Sequence, residues 1–479
     1  MGGTEDIPVP RSARRWFPAA AAVAVAAWGA NQFTALATVY RARTDWSALS
    51  LAAMFSVYLV GLVPGLLLGG PAADRYGRRR TVRGALALSA AASVVLALAD
   101  EPGVYAARLG TGFAAGLAFL AGTAWLRELS GPGTAPETAA RRAMYATGTG
   151  FAAGALVSGV VAEWLPGPMV LPGLAHALGC LLVLRATRGL PETARRDRGT
   201  PPHGTPPHRT SPHRTSPHHT SPQRTAAVRH PRFRYVVLPA SPAVLGAATV
   251  AYVVLPPLVA DRVPGYAPLF SGLVAALTLA TGVVAQPFAA RLDDADSARA
   301  TLTAMATVIA GLLLGALAVV RDSVGLVVVA AVVLGTGYGL TLGAGLHEVE
   351  RLTAHSSGPT SASLYQSTTS SGFLTPLLLA GTAGHASYPA LLAGMAAIGL
   401  LCLAVTAAHG RRHLPGPSGR DDLPGQASAT GRDGLPEQTN QPDQPRLPGP
   451  PGPRAAARRE DSSVQTGATP PRSRRPWAE

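Results

Sequence analysis

Residues 70–80 read Gly-Pro-Ala-Ala-Asp-Arg-Tyr-Gly-Arg-Arg-Arg, a G-x-x-x-D-R-x-G-R-R spacing set between two long apolar segments. One carboxylate, Asp74, sits among Arg75, Arg78, Arg79 and Arg80. Such a set suits ion pairing, helix-terminus contacts or phosphate binding rather than bond cleavage. A second charge, Arg108, falls about five residues into another apolar segment, followed by Gly112. An arginine at that depth is costly unless it faces a protein interior and finds a partner, although its position also allows it to reach for the nearer interface. A third group is polar and uncharged: Trp28, Asn31, Gln32 and Thr34 in one segment, Tyr338 in another, and the run from Tyr365 through Gln366 to Ser371. These can line a binding cavity, with Asn31, Tyr365 and Gln366 the strongest candidates. The serines and threonines of that run can equally bond their own helix. There is no G-x-x-x-x-G-K-[ST] phosphate loop and no nucleophile–base set, so the chain reads as neither an ATP-driven pump nor an enzyme, and no cofactor is implied.

The segments that must hold these groups are membrane spans. Charged residues make up 14% of the chain, against about 25% in soluble proteins. A mean hydropathy of +0.22 hides a division between uncharged apolar blocks and charged loops. The blocks run to roughly 18–25 residues, enough to cross a hydrocarbon core about 30 Å thick. Six precede the middle, near 17–39, 48–70, 82–99, 103–126, 143–163 and 168–187. Six follow it, near 235–258, 266–290, 300–320, 323–346, 360–382 and 387–408. The expected fold is an all-α membrane protein of twelve transmembrane helices.

The net charge of +15 is carried entirely by arginine, since the chain has no lysine. Without an aromatic-interleaved basic domain it implies membrane topology and anionic headgroups rather than nucleic acid. With the N-terminus inside, the inner segments hold 14 arginines, and the outer loops hold four: Arg41, Arg43, Arg262 and Arg321. Both termini are therefore expected in the cytoplasm, in a multi-pass protein of the cell membrane. Trp16, Trp46, Trp125 and Trp164 fall near span ends, where indoles favour the interface. Cys180 and Cys402 lie within spans and read as buried small residues. No cleavable signal peptide is expected.

An internal repeat divides the chain. Pro71 to Arg75 reads P-A-A-D-R and, 216 residues later, Pro287 to Arg291 reads P-F-A-A-R, with Ala290 at the aspartate position and Asp293 at that of Gly77. The implied organisation is a cytoplasmic N-terminus (1–16), a six-helix half (17–188), a linker (189–233), a second half (234–408) and a disordered cytoplasmic tail (409–479). Residues 200–224 form an array of TPPH/TSPH pentapeptides. Its prolines favour an extended linker, while its histidines leave metal binding open.

The 70–80 run resembles the loop between the second and third spans of major facilitator transporters, with Ala72 where the family usually has leucine. The resemblance implies two pseudo-symmetric six-helix halves around a central site. It also implies a cytoplasmic gate made by Gly70, Asp74, Arg75, Gly77, Arg78 and Arg79, in which Asp74 would engage the facing half. The fourth-span R-x-x-x-G at Arg108 is similar to the pattern tied to proton coupling in that family. The first span offers no acid, only Asn31 and Gln32. Gly150-x-x-x-Gly154-Ala155-x-x-x-Gly159 resembles the fifth-span motif of its proton antiporters, with Ala155 where a proline is usual. Pro191-Glu192-Thr193 is similar to the sixth-span ending of its sugar transporters. The resemblance is to bacterial drug-efflux members. It implies proton-coupled export of a small lipophilic compound by a monomer whose partners are that solute, protons and the lipid bilayer. Uptake of a small metabolite and a transport-inactive membrane sensor remain the alternatives.

Overall fold

A computed structural model of the chain describes residues 15–131, 133–193, 233–294, 297–353, 365 and 368–413. The pentapeptide array and the C-terminal tail lie outside the described residues. Among those residues ten helices are long and apolar enough to cross a bilayer. They are α1 (Trp16–Arg43), α2 (Ala48–Tyr76), α3 (Arg78–Leu98), α4 (Glu101–Leu129), α5 (Pro136–Trp164), α7 (Phe233–Leu258), α8 (Ala267–Leu292), α9 (Arg299–Val320), α10 (Val324–Thr353) and α12 (Tyr388–His413). The shorter apolar α6 (Leu171–Ala186) and α11 (368–382) complete twelve, in two halves of six.

The boundaries differ from the sequence expectation most at the 70–80 run. It is not a loop: α2 continues through Pro71 to Tyr76, Gly77 alone breaks the chain, and α3 starts at Arg78. Gly77 has φ of +100°, a conformation that needs glycine. Trp125 is also placed differently. It is fully buried, and its indole N–H donates to the carbonyl of Pro191 (3.2 Å) instead of sitting at an interface.

Prolines decide where the helices deviate. Pro376 cannot donate to the carbonyl of Gly372, so α11 tightens into a 3-10 turn over Ser371–Leu374 with Thr375 N–H donating to Gly372 instead. The hydroxyl of Thr249 on α7 donates to the same carbonyl at 3.2 Å. In α7, Pro239 offers no N–H to Tyr235, whose carbonyl accepts from Thr406 on α12 (3.1 Å). Pro242 likewise leaves Leu238, whose carbonyl accepts from Ser241 (3.0 Å). A π-turn at Val250–Val254 precedes Pro256 and Pro257. Each irregularity is bonded by a side chain or a shifted backbone donor, as a membrane interior requires.

Small residues set the helix spacing. A Cβ on Gly112 of α4 would strike the carbonyl of Tyr58 on α2, and one on Gly116 would lie 2.6 Å from that of Leu62. The second half repeats this crossing 223 residues later, where Gly335 meets Thr278 and Gly339 meets Gly282. The glycine stripe of α5 serves two partners. Gly150 and Gly154 admit Ala24 and Trp28 of α1, and Gly159 meets Gly272 of α8 across the halves (3.2 Å from its Cα). Close packing accounts for that stripe. Gly70 differs, since a Cβ there meets nothing within 4 Å. Gly116→Leu is therefore expected to cost about 3 kcal/mol or prevent folding, whereas Gly70→Ala is expected to be neutral or stabilising by about 0.5 kcal/mol. Thermal melting of purified protein by size-exclusion chromatography checks both.

Candidate functional site

At the end of the bundle carrying Gly77, the motif folds onto its own half. Arg78 bridges Asp74 (3.5 Å) and Glu128 of α4 (3.0 Å). The other Glu128 oxygen accepts from the Thr193 hydroxyl. Glu192 takes the backbone N–H of Arg79 (3.3 Å) and lies where a Cβ on residue 77 would be, so Gly77 makes room for it. The Arg79 guanidinium donates to the carbonyl of Arg188, and Arg83 to that of Leu184 (2.5 Å). The three residues Pro191, Glu192 and Thr193 thus belong to the motif in space. The Asp74 side chain is 73% exposed, and among the described residues its ion-pair partner is Arg78, not a group on the facing half. Arg75 lies against the ring of its neighbour Tyr76 (5.4 Å).

The second half builds the equivalent corner with the charges exchanged. Asp293, at the Gly77 position, pairs with Arg351 near the end of α10, which also bonds the carbonyl of Asp294 (3.2 Å) and Glu348 (3.5 Å). Arg351 stands 223 residues after Glu128, the same interval that relates the glycine crossings. Where one half joins its helices by arginine to glutamate, the other uses aspartate to arginine.

Arg108 is buried, with 1% of its surface exposed, and does not reach for the interface. It donates to the carbonyls of Ala30 on α1 (3.2 Å) and of Met54 (3.3 Å) and Phe55 (3.4 Å) on α2. A helix carbonyl has a second lone pair for such a bond. The rings of Phe33 and Tyr58 lie 4.9 Å from its guanidinium carbon, and that of Phe55 5.8 Å away. Arg108 thereby ties three helices together without a carboxylate among its described partners. Tyr252 of α7 and Phe373 of α11 pack edge-on or tilted against Phe55 (6.4 and 5.7 Å), which extends this aromatic cluster into the other half.

Beside the cluster, on its motif side, a cavity of about 280 Å³ is lined by both halves. Its wall is aromatic and aliphatic, with Tyr58, Phe119, Phe151, Tyr338 and Phe373, and its hydroxyls belong to Thr123, Thr147, Thr369, Ser370 and the two tyrosines. Among the described residues, none of those lining it carries a charge. At the opposite end the halves are tied. Ser56 donates to the carbonyl of Phe373 (3.0 Å), Ser271 to that of Thr34 (3.3 Å), and the Leu269 N–H to Glu163 (3.3 Å). A cavity of about 70 Å³ lies there between the halves.

Of the candidates for the cavity, the structure puts Tyr338 in its wall. Tyr365 is buried beside it, with its hydroxyl donating to Thr341 (3.3 Å) and its ring filling the space at Gly345. Gln366 lies outside the described residues. Trp28, Asn31 and Gln32 point within the first half instead. Trp28 donates to Ser158 (3.3 Å), Asn31 to the carbonyl of Phe151 (3.5 Å), and Gln32 to Ser93 (2.9 Å). Ser93 is also 2.7 Å from His176, a buried ring on α6 that carries no sequence signal, being one histidine in an apolar run. The aromatic wall was equally silent, because isolated phenylalanines in a membrane span look the same whether they face lipid or a cavity.

The model of the Major Facilitator Superfamily matches residues 19–374. Over 80 residues, 16% of this chain and 20% of the relative, the sequence is 44% identical to the 3-(3-hydroxy-phenyl)propionate transporter of Escherichia coli (strain K12). The chain thus spans about a fifth of the length of that curated relative. Among solved structures, the nucleoside transporter NupG superposes with a TM-score of 0.62 at 13% identity, covering 83% of this chain and 98% of that one. A D-xylose-proton symporter does so with a TM-score of 0.58 at 15% identity, covering 84% and 97%.

Arg108→Lys tests the tie between α1, α2 and α4. One ammonium cannot span carbonyls on two helices and stack on two rings as a planar guanidinium does. A loss of about 2 kcal/mol in stability is expected, read as a lowered melting temperature with the helical circular-dichroism signal retained.

Proposed function

Because the chain belongs to the Major Facilitator Superfamily, we propose that it moves a small, weakly polar solute across the cell membrane through the cavity its two halves share. The observation that carries this is the cavity itself, uncharged, aromatic, and sealed at one end by contacts between the halves. Aromatic walls bind apolar or ring-bearing solutes, and the wall's hydroxyls orient them by single hydrogen bonds. With both termini cytoplasmic, as the arginine bias argues, the cavity opens to the cytoplasm. The exposed Asp74 is then a latch in its released state. In the opposite state it engages the facing half and holds the cytoplasmic side closed, in alternating access.

The direction we favour is export of a lipophilic compound in exchange for protons. The uncharged wall supports the solute class, and the intact motif on the first half supports the cycle. Uptake is the second reading, favoured by the likeness to a D-xylose-proton symporter and by the 44% identical stretch of a hydroxyphenylpropionate transporter. The shared cavity argues against a transport-inactive sensor. Arg108 serves proton coupling through its neighbours, since its partners are carbonyls and rings and no acid pairs with it among the described residues.

A compound screen in cells overproducing the protein, scored for resistance and for accumulation, separates export from uptake. In vesicles, flux of the compound found is expected to follow an imposed pH gradient, and indifference to the gradient would remove proton coupling. Asp74→Asn is expected to lower flux about fivefold with normal insertion, because removing a latch worth roughly 1 kcal/mol shifts the equilibrium by that factor. Unchanged flux would rule out the latch.

A further inference from the structure

Proton coupling, if the proposal above holds, needs a group that binds the proton, and the interior of the first half offers one away from the cavity. His176 on α6 is fully buried. Its Nε2 lies 3.0 Å from the carbonyl of Val25 on α1, which can only accept, so Nε2 carries the hydrogen. Nδ1 is then the basic nitrogen, and at 2.7 Å it accepts the hydroxyl of Ser93 on α3. The Ser93 oxygen in turn accepts from the amide nitrogen of Gln32 on α1 (2.9 Å). The chain of bonds ends there, because Gln32 Oε1 is buried with no hydrogen-bond partner.

The ring has been given room. A Cβ on Gly29 would lie 2.8 Å from its Cε1, and Trp28 packs edge-on against it at 5.5 Å. From α1 the ring faces Val25, Trp28 and Gly29, from α3 Ser93 with Ser89 near it, and along α6 Cys180, whose sulfur is 3.6 Å from Nε2. Beyond Trp28, α5 contributes Ser158. Of these groups the Cys180 thiol alone titrates besides the ring, and none is charged.

We propose that His176 is the proton-binding group of the N-terminal half, with Ser93 and Gln32 as a relay that has two hydrogen-bonding directions. In the neutral state the bonds run from Gln32 to Ser93 to Nδ1. A proton arriving from water adds to Nδ1, and the imidazolium donates to the Ser93 oxygen. The Ser93 hydroxyl turns its own hydrogen toward Gln32, whose amide rotates to present the idle Oε1. One proton enters, no other bond to hydrogen breaks, and Gln32 Oε1 gains the donor it lacks while the amide nitrogen gives up Ser93. The change reaches the cavity through α1, where Trp28 holds Ser158 and Asn31 holds the carbonyl of Phe151, a wall residue. The orphaned acceptor gives the relay a second arrangement ready to be filled.

The test follows Trp28 fluorescence in the full-length protein in lipid nanodiscs, taken as the difference between wild type and Trp28→Phe. A protonated imidazole quenches an indole in contact with it. A single quenching step is expected as the pH is lowered, absent from His176→Gln. Gln32→Leu keeps the ring but removes the acceptor that the Ser93 hydroxyl needs once the ring is protonated, and is expected to move the midpoint down by about one pH unit. A step that survives unchanged in His176→Gln, or no step in wild type, overturns the proposal. If His176→Gln fails to fold, an unmoved midpoint in Gln32→Leu overturns the relay. The titration uses no transported solute, so its outcome is independent of whether a pH gradient drives flux.

Discussion

The middle of a bilayer supplies no hydrogen bonds, and most features of this bundle answer to that constraint. Arg108 meets it with second lone pairs of helix carbonyls and the faces of aromatic rings. The proline breaks meet it with threonine hydroxyls from neighbouring helices. A side effect of each solution is a tie between helices: α4 to α1 and α2, α11 to α7 and α12 to α7. Satisfying the backbone and assembling the bundle are therefore one process here, and the irregular points of the helices are also its joints.

The joints are distributed unevenly. At the closed end, the 3-10 turn of α11 offers the Phe373 carbonyl to Ser56, and its ring joins the cluster around Arg108. At the motif end the described ion pairs close within each half, by Arg78 with Glu128 in one and Asp293 with Arg351 in the other. Among the described residues, the side-chain hydrogen bonds between the halves lie on the other side of the cavity.

Apolar length alone made the twelve spans legible, since a 20-residue uncharged run has few other uses. The Gly77 turn was legible too, because a glycine between a helix end and an arginine cluster has few alternatives. What could not be read was which way side chains point within a span. Asn31 and Gln32 looked like cavity groups, yet α1 turns them toward α5 and α3. Arg108 could be read as facing the interior or the interface; it is buried in the bundle, and its partners are carbonyls, which leave no mark in a sequence. The continuation of α2 to Tyr76 was hidden by Pro71, which usually signals a helix end. The cavity wall depends on helix rotation, and all-round apolar spans carry no phase from which to infer it.

The exchanged charges at the two corners have a consequence for what the protein now tolerates. Each pair closes within its own half, so a change at one member alone sets like charges together: an arginine at 128 would face Arg78, and a glutamate at 351 would face Asp293. The halves match in their glycine crossings, yet at these corners they can trade residues only as whole pairs.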